Sequence, residues 1–449
     1  MKRTFLLLAC VSTLLLAACT SDSQLPNPTG KGTIRAINAI PGSPEIGFLI
    51  EEFSLGGVVY KASSAPTDYD DFSYNFSFQI LNPGDTAFTR VATENLQVEA
   101  DRDHIFLLTG DVNAPTVTVW NGDVRTFDAA DTVLEARFSH ASTMLGAVDV
   151  YFDPPGTAPG TNPPAATLSF GEISPAADYE AGATVLTVTD AGDPGVVHFT
   201  SDEAQLLPQF AHVITIFDGD ENDVAPIHVR SMTSVGNPLV FTDADSSPQL
   251  RFIHAASTLE TVDIYDDDVL TSLVFGGLEF KGTTGYLDTL TEARTFYFTP
   301  ENSVAITLLE QQISAPASNS FADVYLLGET DNWLGVRFVS DRQRYSNSFR
   351  LRSFPAALNH DVYDVYLTDR DVPLADEDTS VLLNIGYGFI APTLTLGEGE
   401  FDLYITAPGE KTVIAGPYPI NAVLGELVEL LIVDTVDPAT AEIIDITAP

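Results

Sequence analysis

The chain has 449 residues, 20 Lys+Arg against 63 Asp+Glu, and a formal net charge of −43. Such a surface repels nucleic acid and anionic membranes, and it fits either a salty habitat or loose cation binding. The two cysteines, Cys10 and Cys19, both lie at the start, so thiol chemistry, disulfides and Cys-based metal sites are excluded from the rest.

In chain order, Lys2 and Arg3 precede the apolar run Thr4–Ala18, which is too short to span a bilayer comfortably. It ends in Leu16-Ala17-Ala18-Cys19, which resembles a bacterial lipobox. That resemblance implies a signal peptide over 1–18 and a lipid anchor on Cys19, the membrane contact expected of this chain. Thr20 rather than Asp after the cysteine favours the outer membrane in a Gram-negative host. Residues 19–32 are polar, with Pro and Gly, and read as a tether.

Helical periodicity is hard to find beyond the tether. Short runs rich in Val, Ile, Thr, Phe and Tyr ("TVTVW", "VITIF", "FDLYIT") alternate with Gly, Pro, Asp and Asn clusters, as in all-β sandwiches or barrels. One phrase recurs about every hundred residues, anchored on Arg35, Arg137, Arg251 and Arg352. Twelve residues after each Arg stand Gly47, Asp149, Asp263 and Asp364, and two further on Leu49, Tyr151, Tyr265 and Tyr366. A strand ending in Gly56, Gly171, Gly276 or Gly386 and a late hairpin with an acidic turn follow in the same order each time. Four homologous units are therefore expected, at 33–132, 133–247, 248–346 and 347–449. Each has the length of a one-core, seven-to-eight-stranded β-sandwich, immunoglobulin-like or transthyretin-like. The short polar joints predict semi-rigid beads in series.

The form Arg-x-x-His-Ala-Ser…Asp-Val-Tyr at Arg137–Tyr151, and its variants at Arg251–Tyr265 and Arg352–Tyr366, resemble the bacterial extracellular domain of unknown function 4397. The resemblance implies tandem β-sandwich-like copies in a secreted or lipid-anchored protein.

If the motif is a hairpin, symmetric pairing sets His140 opposite Asp149 and His254 opposite Asp263, a pair a hydrolase would use to activate a serine. Yet Ser142 becomes Ala256 in the third copy, with Ser257 one later. Asn38 and Pro355 replace the His in the first and fourth copies. The frame persists without the pair, so the motif reads as structural and the protein as no enzyme.

Asp218, Asp220 and Asn222 in "FDGDENDVAPIHV" resemble the start of a calcium loop. They lack its later Gly and Glu, so a solvated turn is the simpler reading and weak calcium binding the alternative. No H-x-H or HExxH spacing points to zinc. Trp120 and Trp333, with Tyr69, Tyr74 and Tyr387, are the aromatics a glycan platform would use; otherwise they pack in core or rim. The expected work is adhesion, scaffolding, or binding of a polysaccharide or an envelope protein. No cofactor other than calcium is implied.

Overall fold

The computed structural model describes residues 27–233, 238–330 and 332–448; the leader and Cys19 lie outside them. Among the described residues every regular element is a strand, and the strands form eight sheets. These fall into four successive groups of two.

In the first group one sheet runs Ala62–Ser63, Lys31–Asn38, Arg102–Asp111, Ala114–Asp123, with Thr67–Asp70 also on Lys31–Asn38. The other runs Phe53–Val58, Ile46–Ile50, Ser73–Ile80, Thr89–Gln97 and is wholly antiparallel. The plan recurs. The first strand of each group pairs in parallel with the first strand of the late hairpin: Lys31–Asn38 with Arg102–Asp111, Val133–His140 with Ala211–Asp218, Gln249–His254 with Phe321–Glu329, and Phe349–Ala356 with Leu427–Asp434. A parallel pair needs a long crossover, and the second sheet of the group supplies it.

Burial explains the composition of these strands. In Val133–His140 seven of the eight residues are buried, and in Phe349–Ala356 all eight. Near-continuous burial means that both faces of the sheet are covered. Alternate residues, such as Ile34 and Ala36, join the core between the two sheets of their own group. Ile37 and Ala39, on the opposite face, join another cluster with Ala141, Val213 and Phe217 of the second group. Ile253, Ala255 and Tyr325 of the third group likewise meet Phe354, Ala356 and Leu431 of the fourth.

The groups therefore dock in two pairs, parallel-strand sheet against parallel-strand sheet, and the expectation of beads in series fails. The polar joints conceal apolar outer faces that read as ordinary strand core. The pairs also touch each other: Ala225 N–H donates to Asn319 Oδ1 (2.5 Å), and Arg342 N–H to Asn222 Oδ1 (2.7 Å).

Candidate functional site

The repeated motif is an arch between sheets rather than a hairpin. Val133–His140 pairs with Ala177–Glu180 and Ala211–Asp218, whereas Val148–Asp153 pairs with Ala166–Leu168 and Gly182–Asp190. His140 and Asp149 thus belong to different sheets, as do His254 and Asp263, and the expected cross-strand pair does not form. Symmetry about the turn misled because a strand changing sheets looks like one folding back.

Each side chain serves its own loop. His140 Nε2 meets Gly146 O at 2.8 Å, and its Nδ1 accepts the Ser142 N–H at 3.3 Å. These contacts fit a neutral ring, and burial depresses its pKa, as it does for His254, whose Nε2 faces Glu260 O at 3.2 Å. Asn38 fills the same place in the first group, bonding Ser43 Oγ, Val58 O and the Ile40 N–H. Where Pro355 stands, Asp434 closes the arch by accepting the N–H groups of Leu358 and Asn359. Ser142 Oγ donates to Asp218 and not to His140, so the ring does not prepare it as a nucleophile.

The motif Asp secures a different pair of loops. Asp364 accepts N–H groups from Asn384 and Gly409, and Asp263 those of Gly277 and Asn302, all at 2.8 Å. Asp149 takes the Gly192 N–H at 2.8 Å and the Thr167 hydroxyl. Each main-chain donor has a positive φ, so the carboxylate fastens left-handed turns on the two neighbouring strands to the middle strand. Two residues on, Tyr151, Tyr265 and Tyr366 are buried on the same sheets.

The motif Arg sits in the seam between paired groups. Arg251 is fully buried; its Nε reaches Asp323 Oδ1, its Nη1 Ile446 O and its Nη2 Glu429 Oε2, each at 2.8 Å. Arg352 bonds Glu429 from the other side and lies 3.5 Å from Asp323. Two arginines and two carboxylates from two groups thus close a buried quartet. Asp323 and Glu429 stand in register with Arg251 and Arg352, where the first two groups carry Ile105 and Val213. In that seam Arg35 pairs instead with Asp103, and Arg137 donates to Asp123 O at 2.6 Å. Aligning the late-hairpin strands would have exposed these two acids as breaks in an apolar run.

The calcium candidates have other partners. Asp218 clamps the second arch through Ser142, Thr143 and Met144. Asp220 pairs with Lys61 of the first group at 2.8 Å, and Asn222 reaches the joint after the third. The solvated turn expected here is a buried junction, because Lys61 crosses the seam to meet Asp220 and Asp223. Among the described residues no three His, Cys, Asp or Glu side chains converge to hold a metal ion.

Trp120 is 8% exposed and wedged in the first seam, its Nε1 donating to Gly171 O at 3.1 Å. Trp333 is half-buried against the third core and donates to Thr258 Oγ1. Neither lies open as a flat platform. Tyr387 accepts the Gly328 N–H across the second seam, and Tyr69 and Tyr74 contact each other edge-on.

Beside Trp120 the first seam opens into a groove of about 740 Å³. Arg102, Arg125, Arg137, Glu135 and Asp123 line it, and Trp120 and Ile173–Ala176 continue into an adjoining stretch of about 610 Å³. The Arg137 guanidinium lies across Gly122, where a Cβ would fall 1.6 Å from Nη1. Burial raises the pKa of Glu135. Of this lining the sequence singled out Arg137, through the motif, and Trp120; Arg102 and Arg125 lie outside the motif pattern.

The family described as domain of unknown function (DUF4397) matches residues 32–151 and 248–366. No curated protein matches the chain. Among solved structures, the Bacillus anthracis TIE protein is similar at 9% identity, over 91% of this chain and 69% of that one, with a TM-score of 0.16. The product complex of a multi-modular glycogen-degrading pneumococcal virulence factor, SpuA, is similar at 11% identity, over 86% of this chain and 38% of that one, also with a TM-score of 0.16.

Proposed function

From the premise that the chain belongs to the DUF4397 family, we propose that it is a non-catalytic envelope protein presenting a block of four β-sandwich units from a lipid anchor. The units are those at 33–132, 133–247, 248–346 and 347–449, immunoglobulin-like or transthyretin-like in plan. One observation carries the reading. The His side chains that a hydrolase would need are fastened to main-chain groups of their own loops, the Asp side chains to turns on neighbouring strands, and the two stand in separate sheets. Docking in pairs suits a stiff scaffold, adhesin or binding module held off the membrane by residues 19–32. The anchor at Cys19 and the outer-membrane location are part of the proposal, read from the leader.

The test uses the whole chain in a Gram-negative host. Labelled palmitate should enter the protein and be lost with Cys19→Ala, which should release it from membranes. The soluble variant should bind isolated envelope fractions, and H140N/H254N should bind as well as its parent. Hydrolysis of a general ester or glycoside substrate that disappears in H140N/H254N without loss of fold would establish the enzyme reading instead. For the calcium alternative, a thermal midpoint unmoved at millimolar calcium removes it.

A further inference from the structure

We infer that the two docked pairs form a salt-gated hinge: they close on each other in strong salt and swing apart in dilute salt. This goes beyond the envelope role and does not depend on what the protein binds. Charge sets it up. Residues 27–247 hold 8 Lys+Arg against 31 Asp+Glu, and residues 248–449 hold 10 against 31, so a net −23 faces a net −21. Two bodies of like sign repel until salt screens them, and the Debye length falls from about 30 Å at 0.01 M to about 3 Å at 1 M.

What resists that repulsion differs within and between the pairs. Inside each pair an apolar cluster fills the seam, and ion pairs such as Lys61–Asp220 and Arg251–Glu429 cross it. Between the pairs, among the described residues, no buried apolar cluster and no ion pair crosses. Hydrogen bonds do. Besides those of the Ala225 and Arg342 N–H groups, Asn222 Nδ2 donates to Gln343 Oε1 and Asn319 Nδ2 to Asp223 Oδ1. The Ser346 N–H donates to Gly42 O, and Asn347 Nδ2 to Asn82 Oδ1. Every residue in these bonds stands outside the strands, so the contact is loop on loop. Such bonds replace bonds to water at little net gain, and a small polar contact leaves two units free to move. The cations of the joint, Arg342 and Arg344, do not reverse the sign. Arg342 lies over the Tyr286 and Phe321 rings of its own unit, and Arg344 pairs with no acid among the described residues. Salt therefore removes repulsion without breaking an ion pair across the contact.

The chain from residue 20 onward has no cysteine, so dyes can be placed at chosen sites of the soluble protein. Exposed alanines carry them: A158C/A439C spans the two pairs, and A114C/A158C lies within the first. A compact chain of this length has a radius of gyration of about 22 Å and each half about 17 Å; moving the centres of the halves from about 28 to about 40 Å apart gives about 26 Å. From about 1 M down to about 0.02 M NaCl, small-angle scattering should show an increase of that order. Energy transfer across A158C/A439C should change with it, while A114C/A158C stays fixed. N222A/N319G removes four of the crossing bonds, glycine suiting the φ of 52° at Asn319. It should raise the salt concentration for half closure at least twofold and keep the melting midpoint. A radius and an A158C/A439C signal that stay constant through the series show one rigid body and overturn the inference. Opening that grows with salt overturns it too, as does an equal change in A114C/A158C, which would report unfolding of the pair. A folded N222A/N319G with half closure unmoved removes the loop latch. If that variant does not fold, the salt series of the parent still decides.

Discussion

Arg251→Met tests the idea that the second seam is held by a closed set of four charges. The substitution removes bonds to Asp323, Glu429 and Ile446 O, and leaves two carboxylates facing Arg352 alone. All four side chains are nearly inaccessible, so the surplus negative charge cannot relax into water. Breaking a buried pair by removing one partner costs about 3–5 kcal/mol, and the loss should fall in that range. R251M/D323L restores neutrality, leaving Arg352 bonded to Glu429, and Tyr286 keeps its bond to Ser340. The double variant should therefore recover to within about 1 kcal/mol of the parent, since replacing a whole buried pair by apolar groups is often nearly neutral. The first seam already carries Ile105 and Val213 at the places of Asp323 and Glu429. Urea unfolding followed by Trp333 fluorescence in a Trp120→Phe background reports on the second pair without signal from the first. A single variant costing under about 1 kcal/mol, or a double costing as much as the single, would refute the reasoning.

Three further outcomes are expected. Asp364→Asn loses the charge on an acceptor of two N–H groups and sets an amide N–H₂ against one of them; it should lower the stability of the fourth unit by about 2–4 kcal/mol, measured by urea midpoint. Burial depresses the pKa of His212 from 6.5 to about 4. Above pH 6.5 the ring is neutral both folded and unfolded; as pH falls towards 4 only the unfolded chain takes the proton, so stability drops by about 3 kcal/mol. His212→Asn should remove that part of the slope, seen as a smaller difference between urea midpoints at pH 7.5 and 4.5 than in the parent. Lys61→Met removes the cation that Asp220 and Asp223 share in the first seam, leaving Asp223 its bonds to His228 and Asn319, and should loosen the seam by about 3 kcal/mol, detected as a red shift of Trp120 emission at lower urea than in the parent; an unmoved transition would show that the Lys61 ion pairs contribute nothing to docking.

Much of this was legible in one dimension. Strand composition gives an all-β chain because β-branched and aromatic residues alternate between turn residues. Recurrence of Arg in four copies, and of Asp and Tyr in three of them, in constant order reveals the repeat because each copy solves the same local problem. Asp149, Asp263 and Asp364 recur since three sheets fasten left-handed turns in the same way, and that constraint acts within one unit. Family membership follows from the same phrase.

Other facts depend on which surfaces meet. A strand that crosses to the facing sheet and one that folds back carry the same alternation, so His140 and Asp149 looked like partners. Residues such as Ile37, Val213 and Tyr325 read as core whether they face their own second sheet or a neighbouring unit. Docking in pairs turned Arg251 into the centre of a quartet and an acidic turn into a buried junction with Lys61. It also opened the groove beside Trp120. Sequence determined the units because their strands and turns are set by nearby residues. Tertiary structure decided the seams because contact between units depends on the pairing of whole sheet faces, which no local pattern encodes.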